Sequence, residues 1–158
     1  MRVAILTVSD SVSQRAREDR SGPALTERCR QLGWQVAFTE VVADVEAAIR
    51  TRLSEWADTG AADVILTTGG TGVGPRDVTP EATSAVVSKL IPGLAEEMRR
   101  AGLHSTPRAV LSRGIAGVRA KTLIVNLPGS PKGAVESLDA IAKLIPHVAD
   151  VLHGARHD

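Results

Sequence analysis

Residues Leu66–Ala82 read L-T-T-G-G-T-G-V-G-P-R-D-V-T-P-E-A. The apolar run Asp63–Leu66 enters this stretch and a helix start, Thr79-Pro80-Glu81, leaves it, so the pattern predicts a strand, a glycine-rich turn and a helix. Gly69, Gly70, Gly72 and Gly74 permit positive φ and remove the Cβ atoms that would keep a charged ligand from the backbone N–H groups. Thr67, Thr68 and Thr71 add hydroxyls. Two phosphate motifs fail here. Gly69 and Gly74 have the P-loop spacing, but Pro75 and Arg76 stand where Lys and Ser/Thr are required; the dinucleotide pattern lacks its third glycine after Gly72-Val73-Gly74. The stretch therefore reads as a phosphate-type loop of another kind, set against the plainer reading of a tight turn without a ligand.

Strand and helix patterns alternate on either side. Val3–Val8 is a continuous aliphatic and β-branched run suited to a strand buried on both faces. Ser9, Asp10 and Ser11 follow it. Ligands gather beyond the carboxyl ends of strands in open α/β sheets, so these three are candidates for the cleft of the glycine loop, with turn chemistry as the equal alternative. Ser21 is placed to cap a helix carrying Leu25, Cys29 and Leu32 on one face before Gly33 ends it. Gln35–Val42 reads as a second strand. Asp44 is then positioned to cap a helix whose buried stripe is Val45, Ile49, Leu53 and Trp56. Beyond the loop the pattern gives a helix from Val78 to Leu90 capped by Thr79, and a short helix from Leu94 to Ala101. Ala109–Arg113 is open between helix end and strand. Ile115–Val118 and Thr122–Leu127 form a ribbon about Arg119-Ala120-Lys121. Ser130 caps and Pro131 opens a last helix with Val135, Leu138, Ile141 and Ile145 on one side, restarted at Pro146. The expected fold class is α/β with a mostly parallel sheet covered on both faces, as a single domain over residues 1–158.

Composition limits the functions. The formal net charge is +1, from 19 basic and 18 acidic residues, and Trp34, Trp56 and Phe38 are the only aromatics; a broad basic surface or stacking platform for nucleic acid is not expected. Cys29 is alone, which excludes an internal disulfide and a cysteine metal cluster, and its helical spacing favours packing over reactivity. The N-terminal apolar run is too short for a membrane span and has no signal cleavage site, so a cytoplasmic protein is expected. His104, His147, His153 and His157 are scattered and form no metal-binding pair; no G-x-S-x-G elbow or Cys/His pair is present.

If a nucleoside triphosphate lies across Gly69–Gly74, carboxylates beside it repel it unless a divalent cation stands between them. Asp77 is then the first candidate Mg²⁺ ligand and Asp44 the second. The protein would position and neutralise a phosphate group, and the substrate would bring the nucleophile.

Taken together, T-V-S-D-S-V-S with D-R-S-G-P, Asp44 after V-V-A, the glycine loop through R-D-V-T-P-E-A-T, I-P-G-L-A-E-E-M-R, L-S-R-G-I-A-G-V-R and L-I-V-N-L-P-G-S-P-K resemble the molybdenum-cofactor biosynthesis family. That family includes the bacterial MogA and MoaB proteins and the G domains of gephyrin-like proteins, and the likeness runs from the first strand to about Leu144. It implies a three-layer α/β/α sandwich, commonly a homotrimer, that adenylylates molybdopterin with Mg-ATP and passes the product on to metal insertion. Asp44 and Asp77 match the family's two functional acids. The glycine loop with Thr71 is implied to hold the nucleotide phosphates. Ser112 and Arg113, with Asn126, Pro128, Gly129 and Ser130, match segments that complete the nucleotide and pterin pocket. The family often has an acidic pair where this chain reads Asp44-Val45. A non-catalytic molybdopterin carrier is the other reading.

Overall fold

The computed structural model describes residues 1–156, so His157 lies outside the described residues. Six strands form one sheet: β1 (Arg2–Val8), β2 (Gln35–Val42), β3 (Val64–Thr68), β4 (Lys89–Leu90), β5 (Ala116–Arg119) and β6 (Thr122–Leu127), in the order β2-β1-β3-β6-β5-β4. The strands β2, β1, β3 and β6 are parallel, and β5 and β4 add antiparallel at one edge. The helices are α1 (Asp10–Ser13), α2 (Ser21–Gln31), α3 (Glu46–Asp58), α4 (Thr79–Val86), α5 (Pro92–Gly102), α6 (Pro131–Ile141) and α7 (Ile145–Leu152), with a 3-10 turn at Pro107–Leu111.

The period of two along each strand splits the core into two layers. Val3, Ile5, Val64, Leu66, Leu123 and Val125 pack with Leu25 and Cys29 of α2, Leu94 and Met98 of α5, and Leu138 and Ile141 of α6. The alternate residues Ala4, Leu6, Val8, Ile65 and Ile124 pack on the other face with Ile49, Leu53 and Trp56 of α3 and Ala82 and Val86 of α4. This is the expected three-layer arrangement. Each fully buried Leu or Ile contributes roughly 1.5–3 kcal/mol, which is why the central strands carry unbroken aliphatic runs.

Several local expectations are corrected. Ser21 is the first helical residue rather than the cap of α2, and the Gly22 N–H is met by Asp19 Oδ1 at 3.0 Å. Asp44 does not cap α3; Val45 precedes that helix without a side-chain bond and is 44% exposed, so it lies outside the buried stripe. Thr79 is inside α4, where its hydroxyl donates to Gly69 O instead of capping. That helix stops at Val86 because Val87 turns extended and the chain pairs with β5, through Lys89 opposite Val118. The edge of the sheet overrides a helical pattern there. The ribbon turns at Ala120-Lys121, with Arg119 paired to Thr122 and Ala120 at φ 51°, the left-handed form a two-residue hairpin requires.

Cys29 is buried in the first core layer, and burial pushes its thiol up to about 11. It is therefore expected to resist a disulfide reagent at pH 8 in the folded protein and to react at once in denaturant. Stoichiometric labelling of the native protein within minutes would contradict this placement.

Candidate functional site

The carboxyl ends of β1, β2, β3 and β6 meet at one rim, and the glycine loop leaves β3 between its neighbours β1 and β6. Chain connections from β1 and β3 diverge here, which is where open α/β sheets leave a crevice. Gly69 and Gly70 have φ of 104° and 68°. A Cβ on Gly69 would strike Val8 O, and one on Gly70 would strike Thr79 Oγ1 and lie 3.2 Å from Asp44 Oδ1. Gly72 and Gly74 are not in the positive-φ region, contrary to the expectation for all four. An added Cβ at these two positions would stand 2.8 and 2.9 Å from Asp77 Oδ2, so the Asp77 carboxylate would have to shift. Both acids thus lie against the loop, Asp44 beside Gly70 and Asp77 beside Gly72 and Gly74.

The loop is held by its carbonyls. Gly69 O accepts from the Thr79 hydroxyl, Gly70 O from Thr79 N, Thr71 O from Arg113 N and Gly72 O from Arg113 Nε. Among the hydrogen bonds of the described residues, the N–H groups of Gly70, Thr71 and Gly72 donate to no protein acceptor. Carbonyls turned into the fold with amides left over is the polarity an anion requires. Asp77 closes the loop by accepting from Gly74 N at 2.9 Å.

Two cavities flank this loop and share Ser130. One, about 660 Å³, is lined by Ser9, Asp44, Gly69, Gly70, Asp77 and Gly129, among others. The second, about 340 Å³, is more apolar and includes Thr71, Gly72, Met98, Ser112, Asn126 and Pro128. Gly129 packs its backbone against Gly69, with an added Cβ only 3.3 Å from Gly69 Cα, so the β6 loop and the glycine loop are in direct contact. The Ser130 hydroxyl accepts from Gly133 N as the cap of α6, as expected.

Burial pushes the half-buried Asp44 carboxyl above its ordinary range. The Asp10 amide opposes this, and the Asp10 and Asp77 charges reinforce it. Asp10 is held low by the Arg76 guanidinium and by the Asp44 amide. Among the described residues no group of three or more His, Cys, Asp or Glu could hold a metal ion. Two carboxylates in a cleft beside free amides still fit Mg²⁺, which is commonly held by one or two carboxylates together with substrate phosphates.

The structure distributes the other sequence candidates unequally. Ser9 lines the acidic cleft and also caps α1 through Val12 N, with Ser11 Oγ 3.2 Å from its hydroxyl. Asp10 and Ser11 are not on the cleft lining. Asn126 is almost wholly enclosed: its Nδ2 donates to Thr67 and Thr83 hydroxyls at 3.0 and 2.9 Å, and its Oδ1 accepts from Ile115 N. Its visible work is to join β6, β3 and α4 under the loop. Arg113 is likewise a clamp, donating to Gly72 O, to Asp77 O and to both oxygens of Glu81. Sequence reasoning missed Arg17 and Arg20, which line the acidic cleft and form no ion pair among the described residues. The signal was their place in the segment directly after β1.

A family model described as a probable molybdopterin binding domain matches residues 4–147. The chain is similar to the molybdopterin adenylyltransferase of Helicobacter pylori strain 26695, at 42% identity over 154 residues, 96% of this chain and 88% of that protein. It is similar to the molybdopterin adenylyltransferase of Escherichia coli K12 at 37% over 162 residues, 98% of this chain and 79% of the other. Among solved structures it superposes on the molybdopterin biosynthesis enzyme MoaB of Thermus thermophilus with a TM-score of 0.92 at 49% identity, covering 99% of each chain.

Proposed function

This chain belongs to the MogA/MoaB family of molybdopterin-binding proteins, and we propose that it is a molybdopterin adenylyltransferase of molybdenum cofactor biosynthesis. The observation that carries the reading is the glycine loop with unpaired amides between Asp44 and Asp77, in a chain 42% identical to a protein named for that activity.

In this reading the amides of Gly70, Thr71 and Gly72 receive the ATP phosphates. Asp44 and Asp77 would hold Mg²⁺, which neutralises phosphate charge when bound. A terminal phosphate oxygen of molybdopterin forms the new bond to the α-phosphorus; the bond from that phosphorus to the bridging oxygen breaks, and pyrophosphate leaves with the electron pair. The protein's own part is positioning and electrostatic support of the charge that builds on the phosphoryl oxygens. Ser9, Gly69, Gly129 and Ser130 border the nucleotide cleft. Ser112 and Pro128 face the more apolar cavity, suited to the pterin, and Arg113 and Asn126 hold the walls. Asp10 and Ser11, behind the rim, support rather than touch. A homotrimer, a cytoplasmic location and transfer of the product to a metal-inserting protein belong to the same proposal, supported by the family resemblance. Among the described residues no helix is long and apolar enough to cross a membrane.

The test is anaerobic incubation of the purified protein with molybdopterin and Mg-ATP, followed by quenching and detection of pterin-bound AMP. Adenylylated pterin with equimolar pyrophosphate is the expected result. Tight pterin binding without AMP transfer would replace the enzyme by a carrier.

A further inference from the structure

The capping role that the sequence gives to Ser21 is filled by Asp19. Its Oδ1 accepts from Gly22 N at 3.0 Å and its Oδ2 from the Thr7 hydroxyl at 2.8 Å, so both oxygens are used in fixing the start of α2 against the carboxyl end of β1. Gly22 leaves room for this clasp, since a Cβ there would strike Asp19 Oδ2 and stand 2.7 Å from Thr7 Oγ1. Ser21 is thereby left with nothing to cap. It is only 6% exposed, and neither its hydroxyl nor its N–H has a hydrogen-bond partner among the described residues. It borders the cleft of the glycine loop, Asp44 and Asp77, and so do Arg17 and Arg20, whose guanidinium groups form no ion pair among the described residues.

Net charge does not make this wall attract an anion, because Glu18 and Asp19 border the cleft beside the two arginines. The direction of its donors does. Asp19 has spent its acceptors inside the turn, whereas the Ser21 hydroxyl, the Ser21 N–H and two guanidinium groups are donors without a protein acceptor. A buried hydroxyl is costly to leave unpaired, and the N-terminus of the eleven-residue α2 adds its positive end to the same place. We propose that Ser21, Arg17 and Arg20 form a second anion seat, which takes the terminal diphosphate of a nucleoside triphosphate and holds it as it leaves as pyrophosphate. This rests on the adenylyltransferase reading, and it divides the nucleotide between two walls. In-line displacement puts the entering and leaving oxygens on opposite sides of the α-phosphorus, so the leaving group needs a holder other than the loop that carries the α-phosphate.

Ser21→Ala tests the seat without changing any charge, and alanine suits the first turn of a helix. Inorganic pyrophosphate and AMP are titrated separately into the protein by calorimetry, with Mg²⁺ in fixed excess. Ser21→Ala is expected to weaken pyrophosphate binding about fivefold, the order of one hydrogen bond, and Arg20→Gln about tenfold, that of a charge-assisted one. AMP, which lacks the terminal diphosphate, binds both variants as it binds the unsubstituted protein. Arg50→Gln removes the same charge from the exposed Arg50 of α3, outside the cleft, and leaves both affinities unchanged. Unchanged pyrophosphate affinity in Ser21→Ala overturns the proposal, as does an equal loss for AMP or an equal loss in Arg50→Gln. Neither pterin nor turnover enters the measurement. A protein that binds pyrophosphate through Ser21 but transfers no AMP keeps the seat and loses the adenylyltransferase reading.

Discussion

Replacing Asp77 with asparagine is expected to leave a folded protein that transfers AMP roughly 10²- to 10³-fold more slowly, the scale of losing one electrostatic contact to a phosphoryl transition state. The carboxylate has two roles here that asparagine separates. As a structural acceptor it receives Gly74 N at 2.9 Å, and an asparagine carbonyl oxygen keeps that bond, so the loop closes as before. As a charge in the cleft it stands beside Gly72 and Gly74, and asparagine removes the charge at constant volume. The loss therefore falls on kcat and on the cation concentration needed for turnover, with thermal stability and pterin affinity largely unchanged. Steady-state rates across a Mg²⁺ titration, beside a melting curve, measure both. Normal turnover in Asp77→Asn would remove Asp77 from the chemistry and leave it as a loop latch.

Gly70→Val should lose nucleotide affinity about 100-fold and also cost stability. The backbone at Gly70 has φ 68°, where a β-branched side chain is strained by about 1–3 kcal/mol. A Cβ there also meets the Thr79 hydroxyl, which is buried and bound to Gly69 O, and approaches Asp44 Oδ1 at 3.2 Å. The Thr79 hydroxyl cannot yield without breaking the loop's anchor on α4. The branched methyls would then crowd the unpaired amides of the proposed phosphate site. ATP affinity by calorimetry and the melting temperature are the two readouts. Retained ATP affinity with a lowered melting temperature would make this stretch a structural turn only.

The central strands β1, β3 and β6 were legible because they are buried on both faces. Val3–Val8 and Thr122–Leu127 carry continuous aliphatic runs that solvated segments would not, and glycine and proline punctuate them where the chain must turn. The glycine loop was legible for a related reason, since a close backbone approach excludes side chains and leaves glycines as its trace. Helix starts were read less well. Ser21, Asp44 and Thr79 all have the chemistry of caps, yet none caps the helix expected of it; Ser21 is already the first helical residue, and the other two find partners that sequence spacing does not reveal: Asp44 accepts from Asp10 N, 34 residues away, and the Thr79 hydroxyl reaches Gly69 O. Lys89 and Leu90 were absorbed into a helical pattern because two exposed residues gain their strand identity only from β5 beside them.

Aliphatic strand runs and a glycine loop followed by Asp77 were thus determined locally, because burial and backbone clearance act on each residue's own neighbours in the chain. Which acids line the cleft and which is paired with a guanidinium was decided only in three dimensions. Asp10, Asp44 and Asp77 look alike as residues, and Arg76 lies 66 positions from the carboxylate it grips. Electrostatic energy falls with distance through space and takes no account of separation along the chain, so folding alone could assign their charges.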